Sequence, residues 1–237
     1  MKKNGEIGMK KYLCLWLVTA LLLSGCGRLV YITPEPMVHI TYRAVDGEPL
    51  TPAELEQCAA IMDYRLTAIA IPDYKISPDP ATGTLLVDVP RSRYPGNLTK
   101  LASTWGSQGV LAICIDEDGG DPPLPPEGVV LDNSHVLSAQ AVTVQGEFAV
   151  QLIFTADGAE ILSNTTKRLT ALHGTLPIWM DWQIVSTAQV MQPITDGEAL
   201  VTGFASYESA ALFAAKINGG ILPRAITASV DFSDVEE

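Results

Sequence analysis

Three neighbouring residues, Asp132, Ser134 and His135, carry the residue types of a nucleophilic catalytic triad. In such a triad a histidine takes the serine proton while a carboxylate orients the ring. Residues this close in sequence do not normally reach that geometry, and no G-x-S-x-G motif accompanies them. The other histidines, His39 and His173, fall in a predicted strand and beside a turn glycine. We therefore predict no catalytic residue and no enzymatic activity, with an uncharacterised hydrolase as the least favoured alternative.

Metal binding is a second chemistry, suggested by an acidic run that consists of Asp116, Glu117, Asp118 and Asp121. The run lacks the ligand spacing and the closing glutamate of an EF-hand, so we predict a solvated loop with no metal and no cofactor. Cys58 and Cys114 fall within apolar patterns. We expect them to be small core residues, in preference to a disulfide or a reactive thiol.

Cys26 is the residue for which a covalent role is predicted. An apolar run from Tyr12 to Leu23, preceded by lysines, is too short to span a bilayer and is typical of an export signal. The four residues 23–26, Leu-Ser-Gly-Cys, resemble the bacterial lipobox, in which the cysteine thiol is alkylated by diacylglycerol and the chain is cut just before it. We predict a signal peptide at 1–25, a lipid anchor at Cys26 and a tether at 26–36, which places the protein on the extracytoplasmic face of the cell membrane. An ordinary signal peptide, in which Cys26 has no role, is the alternative.

The composition narrows the classes of partner. The 237 residues include 27 Asp and Glu against 15 Lys and Arg, which gives a net charge of −12. Because such a chain repels phosphate backbones, nucleic-acid binding is excluded. With 47% apolar residues the chain is able to bury a sizeable core.

The first half of the exported part reads as an α+β unit. A period-two strand from Met37 precedes Thr51-Pro52-Ala53-Glu54, a capping box with proline at the first helical position. A hairpin follows at 74–89, then a helix from Asn97 to Gly106, then a strand at 110–115. The order βαββαβ predicts a ferredoxin-like antiparallel sheet at 37–116, with both helices on one face.

The second half is predicted to be a further α+β unit. Residues 117–128 are rich in proline and acid and predict a linker or exposed loop. From 129 to 224 we predict strands at 139–144, 148–154, 176–180, 183–190 and 200–204, with helices capped by Thr155 and Ser206. A last strand is predicted at 226–232. Phe204 and Tyr207, which flank the last cap, are expected to be core residues.

Several short motifs over about 190 residues resemble the first extracytoplasmic domain of SecD, the accessory subunit of the Sec translocon. In the first half they are residues 50–55 (Leu-Thr-Pro-Ala-Glu-Leu), 63–66 (Asp-Tyr-Arg-Leu) with Ile69, and 86–90 (Leu-Val-Asp-Val-Pro). In the second half they are residues 154–159 (Phe-Thr-Ala-Asp-Gly-Ala), Asp181, 193–195, Gly203-Phe204, Glu208, Ala211 and 220–223. The order and spacing of these motifs carry the resemblance.

The resemblance implies a base subdomain, 37–116, into which a head subdomain, 129–224, is inserted, with the chain returning to the base for a strand within 225–233. SecD and SecF use proton flow through transmembrane carboxylates, and the chain ends about where the second of those helices would begin. We therefore expect no proton-motor activity. The resemblance implies exported or envelope polypeptides, and possible association with the Sec translocon, as partners. The alternative is an envelope assembly factor that uses the fold for a fixed protein contact.

The hairpin at 177–183 supplies the candidate polypeptide-binding residues, Trp179 and Trp182. The resembling family usually has glycine after Asp181, where a tight turn needs positive φ. A tryptophan at this turn either folds back as core or presents an apolar anchor to a partner chain. An apolar cleft between base and head is expected for chain binding, and a flat, well-packed patch for an assembly role.

Overall fold

The structure, a computed structural model, describes residues 35–93, 97–117, 125 and 128–233. The predicted signal peptide, Cys26, most of the predicted tether and most of the predicted 117–128 loop lie outside the described residues. Within them are four α-helices: α1 (Pro52–Ala68), α2 (Leu98–Trp105), α3 (Ala156–Leu172) and α4 (Tyr207–Gly219). The strands are β1 (Met37–Ala44), β2 (Lys75–Asp79), β3 (Thr84–Pro90), β4 (Leu111–Cys114), β5 (Val129–Asp132), β6 (Val136–Val144), β7 (Glu147–Phe154), β8 (Thr175–Met180), β9 (Gln183–Gln189), β10 (Glu198–Phe204) and β11 (Ile226–Asp231).

Helix α1 begins as its sequence predicts. The Thr51 hydroxyl accepts the Glu54 amide hydrogen at 3.3 Å, and the Glu54 carboxylate accepts the Thr51 amide hydrogen at 2.8 Å. This reciprocal box satisfies two backbone donors that the first turn leaves without helical partners. The apolar stripe of α1 then packs on the base sheet.

The base is an antiparallel sheet with strand order β11-β1-β3-β2. Alternate residues of β1 and β3 share one core with α1 and α2, so both helices cover the same face. This confirms the α+β class and the ferredoxin-like base, with β11 as the returning strand. Strand β11, which follows the head in the chain, pairs with β1 at the edge of the base sheet.

The head contains two further antiparallel sheets, ordered β10-β7-β6 and β5-β4-β8-β9. Their inner faces share one core with α3 and α4. The prediction that strand 110–115 completes the base sheet is wrong, because β4 pairs with β5 and β8. Strand β5 was not predicted. The chain therefore leaves the base after α2, and β4 is the first strand of the head.

Helix α4 joins the two cores. Leu212 packs in the base core, while Ala210, Phe213, Ala214 and Ile217 pack in the head core. Such a helix is apolar nearly all round, as expected for an element enclosed by protein on both sides. Base and head therefore meet along α4.

Candidate functional site

A cleft of about 480 Å³ lies where the base helix α2 faces the head. The base contributes Lys100, Ser103 and Thr104, and the head contributes the start of β9 together with α4. The apolar lining residues are Met180, Ile184, Val185, Phe204, Leu212 and Phe213. The Phe204 and Phe213 rings lie 5.3 Å apart and tilted by 57°. The cleft is thus apolar with a polar rim, which suits apolar side chains of a partner.

Trp182 stands beside this cleft at the tip of the β8–β9 hairpin. Its side chain is 60% exposed, and both turn residues have positive φ, 52° at Asp181 and 65° at Trp182. Such a backbone costs a residue with a Cβ roughly 1–2 kcal/mol. Of the two alternatives for Trp182, the structure has the exposed one. The sequence thus keeps a strained, solvent-facing indole between two residues, Asp181 and Gln183, that line the cleft.

Trp179, the other candidate, is only 8% exposed. It packs with Ala112 and Cys114 on the other face of the same sheet. An indole enclosed in this way cannot contact a partner without rearrangement. The structure therefore separates the two candidates and leaves Trp182 as the accessible one. Tyr207, predicted to be core, is 52% exposed, so that prediction is wrong.

Arg65, on α1, bonds to the two chain segments that connect base and head next to the cleft. The fully buried guanidinium donates to the carbonyl oxygens of Trp105 at 2.8 Å, Ser107 at 2.6 Å, Gln108 at 3.0 Å and Gly220 at 3.3 Å. Both segments that join base and head are thereby tied to α1. Burial lowers the pKa of Arg65 to about 10, and the Asp181 charge opposes that shift. The guanidinium therefore stays charged at neutral pH.

Asp181, in the head, binds the same connecting segment as Arg65, but through its carboxylate. Its carboxylate accepts the amide hydrogens of Gly109 at 2.6 Å and Val110 at 2.9 Å, and lies 3.4 Å from the Lys216 amine. Burial lowers the pKa of Lys216, while Asp181 raises it. Gly109 has φ of 88°, and a Cβ there would lie 2.7 Å from the Arg65 guanidinium. The cleft floor is therefore a packed, charge-paired junction.

The residues weighed for catalysis lie elsewhere and form a helix cap. Asp132 accepts hydrogen bonds from the Ser134 hydroxyl at 2.6 Å and, at 2.8 Å, contacts His135 Nδ1. The Ser134 hydroxyl lies 3.4 Å from the same Nδ1. A triad needs serine and carboxylate on opposite ring nitrogens. The three residues do meet, but their geometry is that of a short 3₁₀-helix cap.

The cysteines and carboxylates take structural positions. Cys58 and Cys114 are fully buried free thiols, as predicted, and burial raises the pKa of both, that of Cys58 to about 11. Asp116 accepts a hydrogen bond from the Thr175 hydroxyl at 3.1 Å. Asp118 and Asp121 lie outside the described residues. Among the described side chains no group of three or more His, Cys, Asp or Glu is placed to hold a metal ion.

Sequence reasoning did not assign Lys216, Ile184 or Val185 to the site. The available signal for Lys216 was its place in an apolar helix, between Ala215 and Ile217. A lysine in such surroundings is buried only when its charge is paired. For Ile184 and Val185 the available signal was different: residues 182–195 carry no charge, although the chain as a whole is acidic. Which strand faces the cleft depends on the sheet order, which local patterns do not contain.

A ferredoxin-like base with an inserted α+β head defines a two-part module of base-and-head architecture. Residues 112–224 match the sequence model of the SecDF P1 head subdomain. The match begins within β4, in agreement with the placement of β4 in the head. The head of this chain is therefore similar to the SecDF P1 head subdomain.

Two solved structures extend the comparison to the base. One, of a membrane component SecDF that enhances protein export, is 23% identical with a TM-score of 0.55, over 81% of this chain and 97% of that one. The other, of SecDF in its super-membrane-facing form, is 22% identical with a TM-score of 0.61, over 94% of this chain. The chain spans 35% of the length of that second structure. At these identities the likeness establishes the fold.

No curated protein matches the chain. None of the helices within the described ranges is both long and apolar enough to cross a membrane.

Proposed function

We propose that this protein is a lipid-anchored, extracytoplasmic binding module that assists protein export by holding exported chains. The observation that carries the proposal is the apolar cleft between α2 and the head. Trp182 does not line the cleft, but it is exposed between Asp181 and Gln183, which do. The likeness to SecDF, described for one relative as enhancing protein export, supports a role in that process. The proposed partners are exported or envelope polypeptides and the Sec translocon.

The chemistry of the cleft suits an unfolded chain. Unfolded segments expose apolar side chains, and the lining offers aromatic and aliphatic surface at Phe204, Phe213 and Val185. Hydroxyl and amide groups at the rim, such as Ser103 and Gln183, are able to bond to a partner backbone without selecting its sequence. The arrangement therefore favours many chains over one.

The proposal also includes attachment to the membrane through Cys26 and binding that needs no external energy source. Attachment through Cys26 would keep the protein at the membrane, the compartment in which exported chains emerge. Binding in the cleft requires only contact free energy, so we propose that the protein works without proton-motor activity and without an enzymatic step.

A second candidate, an assembly factor with a fixed contact, is favoured by the outer face of the sheet β10-β7-β6. Val144 and Leu200 are 39% and 44% exposed there, beside a shallow groove of about 290 Å³. A face of this kind fits a single rigid partner better than an unfolded chain.

The test compares Trp182→Ala with Trp179→Ala in binding to a reduced, permanently unfolded secreted protein. Loss of the exposed anchor should weaken binding by about 1–3 kcal/mol, roughly five- to 150-fold in Kd, and leave the melting temperature nearly unchanged. Loss of the buried indole should lower the melting temperature by many degrees. If Trp182→Ala binds as the native chain does, Trp182 is not a binding residue.

A further inference from the structure

Strand β9 forms the edge of the head sheet next to the cleft. We propose that an extended segment of an exported polypeptide binds there as an added β-strand. The inference rests on the proposed function and adds to it the mode of recognition. Main-chain pairing at a sheet edge gives affinity that is largely independent of sequence. A module that handles many exported chains needs that property.

Five of the six sheet edges in the described chain are guarded. Proteins block edge pairing with charges, prolines or covering elements. Charged or proline residues lie on four edges, namely Lys75, Pro78 and Asp79 on β2, Asp132 on β5, Glu198 on β10 and Asp231 on β11. The fifth, β6, is covered by α4, whose Asn218 amide bonds to the amide and carbonyl of Ala139 at 2.8 and 2.7 Å.

Strand β9 is the exception among these edges. Gln183–Gln189 contains no charge and no proline, and the uncharged run continues to Thr195 in a chain of net charge −12. The flanking apolar side chains are exposed, 60% at Trp182, 47% at Ile184 and 78% at Met191. An uncharged, exposed strand at a sheet edge is a template for pairing with another chain.

The hydrogen bonds of β8 show which way its backbone groups point. Thr175 donates its amide hydrogen to Asp116 at 2.8 Å and accepts the Asp116 amide hydrogen at 3.1 Å. Its backbone groups therefore face away from β9. Because direction alternates along a strand, Pro177 and Trp179 also direct their backbone groups away from β9.

The opposite residues on β9 must then face the open edge. Gln189, Thr187 and Ile184 lie opposite those three positions, with a bulge at Val185. In non-hydrogen-bonded pairs of an antiparallel ladder both partners turn their N–H and C=O groups outward. Strand β9 thus presents a row of backbone donors and acceptors, and Ile184 and Val185 also line the cleft.

The charge and the cleft define the occupant. Side chains on one face of an added strand would enter the apolar cleft, so alternate apolar residues are favoured. The net charge of −12 disfavours an acidic segment and equally a second copy of this chain. The expected occupant is an extended segment that is neutral or basic with alternating apolar side chains.

The test measures amide hydrogen exchange by NMR on the full chain in detergent. The probe is a synthetic peptide of about nine residues that alternates valine with threonine between terminal lysines, the length of a typical strand. With saturating peptide, the exchange rates of the Ile184, Thr187 and Gln189 amide hydrogens should fall at least about tenfold, because these amides become hydrogen-bonded. The amide of Ile76 on the guarded edge β2 should not change.

A variant tests the same edge independently. Thr187→Pro removes an outward N–H and should weaken peptide binding at least about fivefold, whereas Thr187→Val keeps the amide and should bind normally. If peptide and unfolded polypeptide bind while these amides stay unprotected, the edge proposal is overturned and the proposed function stands. If neither binds, both fail. Protection that grows with protein concentration in the absence of peptide would overturn the proposal in favour of a second copy.

Discussion

At the scale of single residues, Arg65 is the clearest link between sequence and site. One guanidinium bonds to four carbonyl oxygens on the two segments that connect base and head. Only arginine offers five donors in a planar fork, so no other side chain is able to reach all four. The position of α2 relative to the head, and with it the width of the cleft, depends on this residue.

We predict that Arg65→Lys destabilises the protein by about 2–4 kcal/mol, because several buried carbonyls lose their donors. Urea unfolding measures the effect. The matched control is Arg224→Lys, since Arg224 pairs with Asp46 and Glu54 at the surface, where solvent screens the pairs and the change in stability should be much smaller. Equal losses for the two variants would show that the Arg65 junction contributes nothing special.

At the scale of elements, the sheet edges decide what the head is able to bind. Strand β6 has no charge in its sequence, yet the Asn218 amide occupies its backbone groups as a neighbouring strand would. Among the described residues no backbone hydrogen bond reaches the outward groups of β9, although β10 lies near the strand. The contrast explains why one uncharged edge is closed and the other is open beside the cleft.

Asn218→Leu should destabilise the protein by about 1 kcal/mol, because the amide and carbonyl of the buried Ala139 lose their partners. Thermal unfolding of the purified chain is the measurement. Asn164→Leu, an exposed position on α3, should change stability by no more than about 0.5 kcal/mol. A neutral result for Asn218→Leu would mean that α4 covers β6 without this bond.

Local patterns were sufficient for most elements and insufficient for the site. The capping box of Thr51 and Glu54 and the cap residues Thr155 and Ser206 fixed where helices begin, because caps act within one turn. Strand β4 has an apolar pattern that suits either sheet, so its place in the head depends on long-range pairing. The exposure of Trp182 likewise depends on what packs against the hairpin, which spacing does not encode.

At the scale of the whole molecule, the proposed protein combines a lipid anchor at Cys26 with the folded base-and-head domain. The SecDF P1 head match and the two structures cover both parts of that domain. In the proposed function the cleft and β9 bind exported chains, and the lipid at Cys26 attaches the protein to the membrane. Attachment and binding are therefore separable by substitution.

Cys26→Ala should abolish fatty-acid labelling and release the protein from the membrane or leave it unprocessed, because the alkylated thiol is lost. Metabolic labelling and fractionation of cells measure this. Cys58→Ala, which alters a buried core thiol, serves as the control and should keep its label. Retention of label and of membrane attachment in the Cys26 variant would contradict the anchor.

The most direct test of chain handling is photo-crosslinking in living cells from two glutamines with the same chemistry. Gln183 lines the cleft at the start of β9, and Gln140 lies on the exposed strand face of β6 in the other head sheet. With a photoreactive residue at either position and pulse-labelled exported proteins, the account predicts adducts of many masses from Gln183 and few from Gln140. A single adduct of fixed mass from Gln140, with none from Gln183, would contradict it and identify an assembly contact instead.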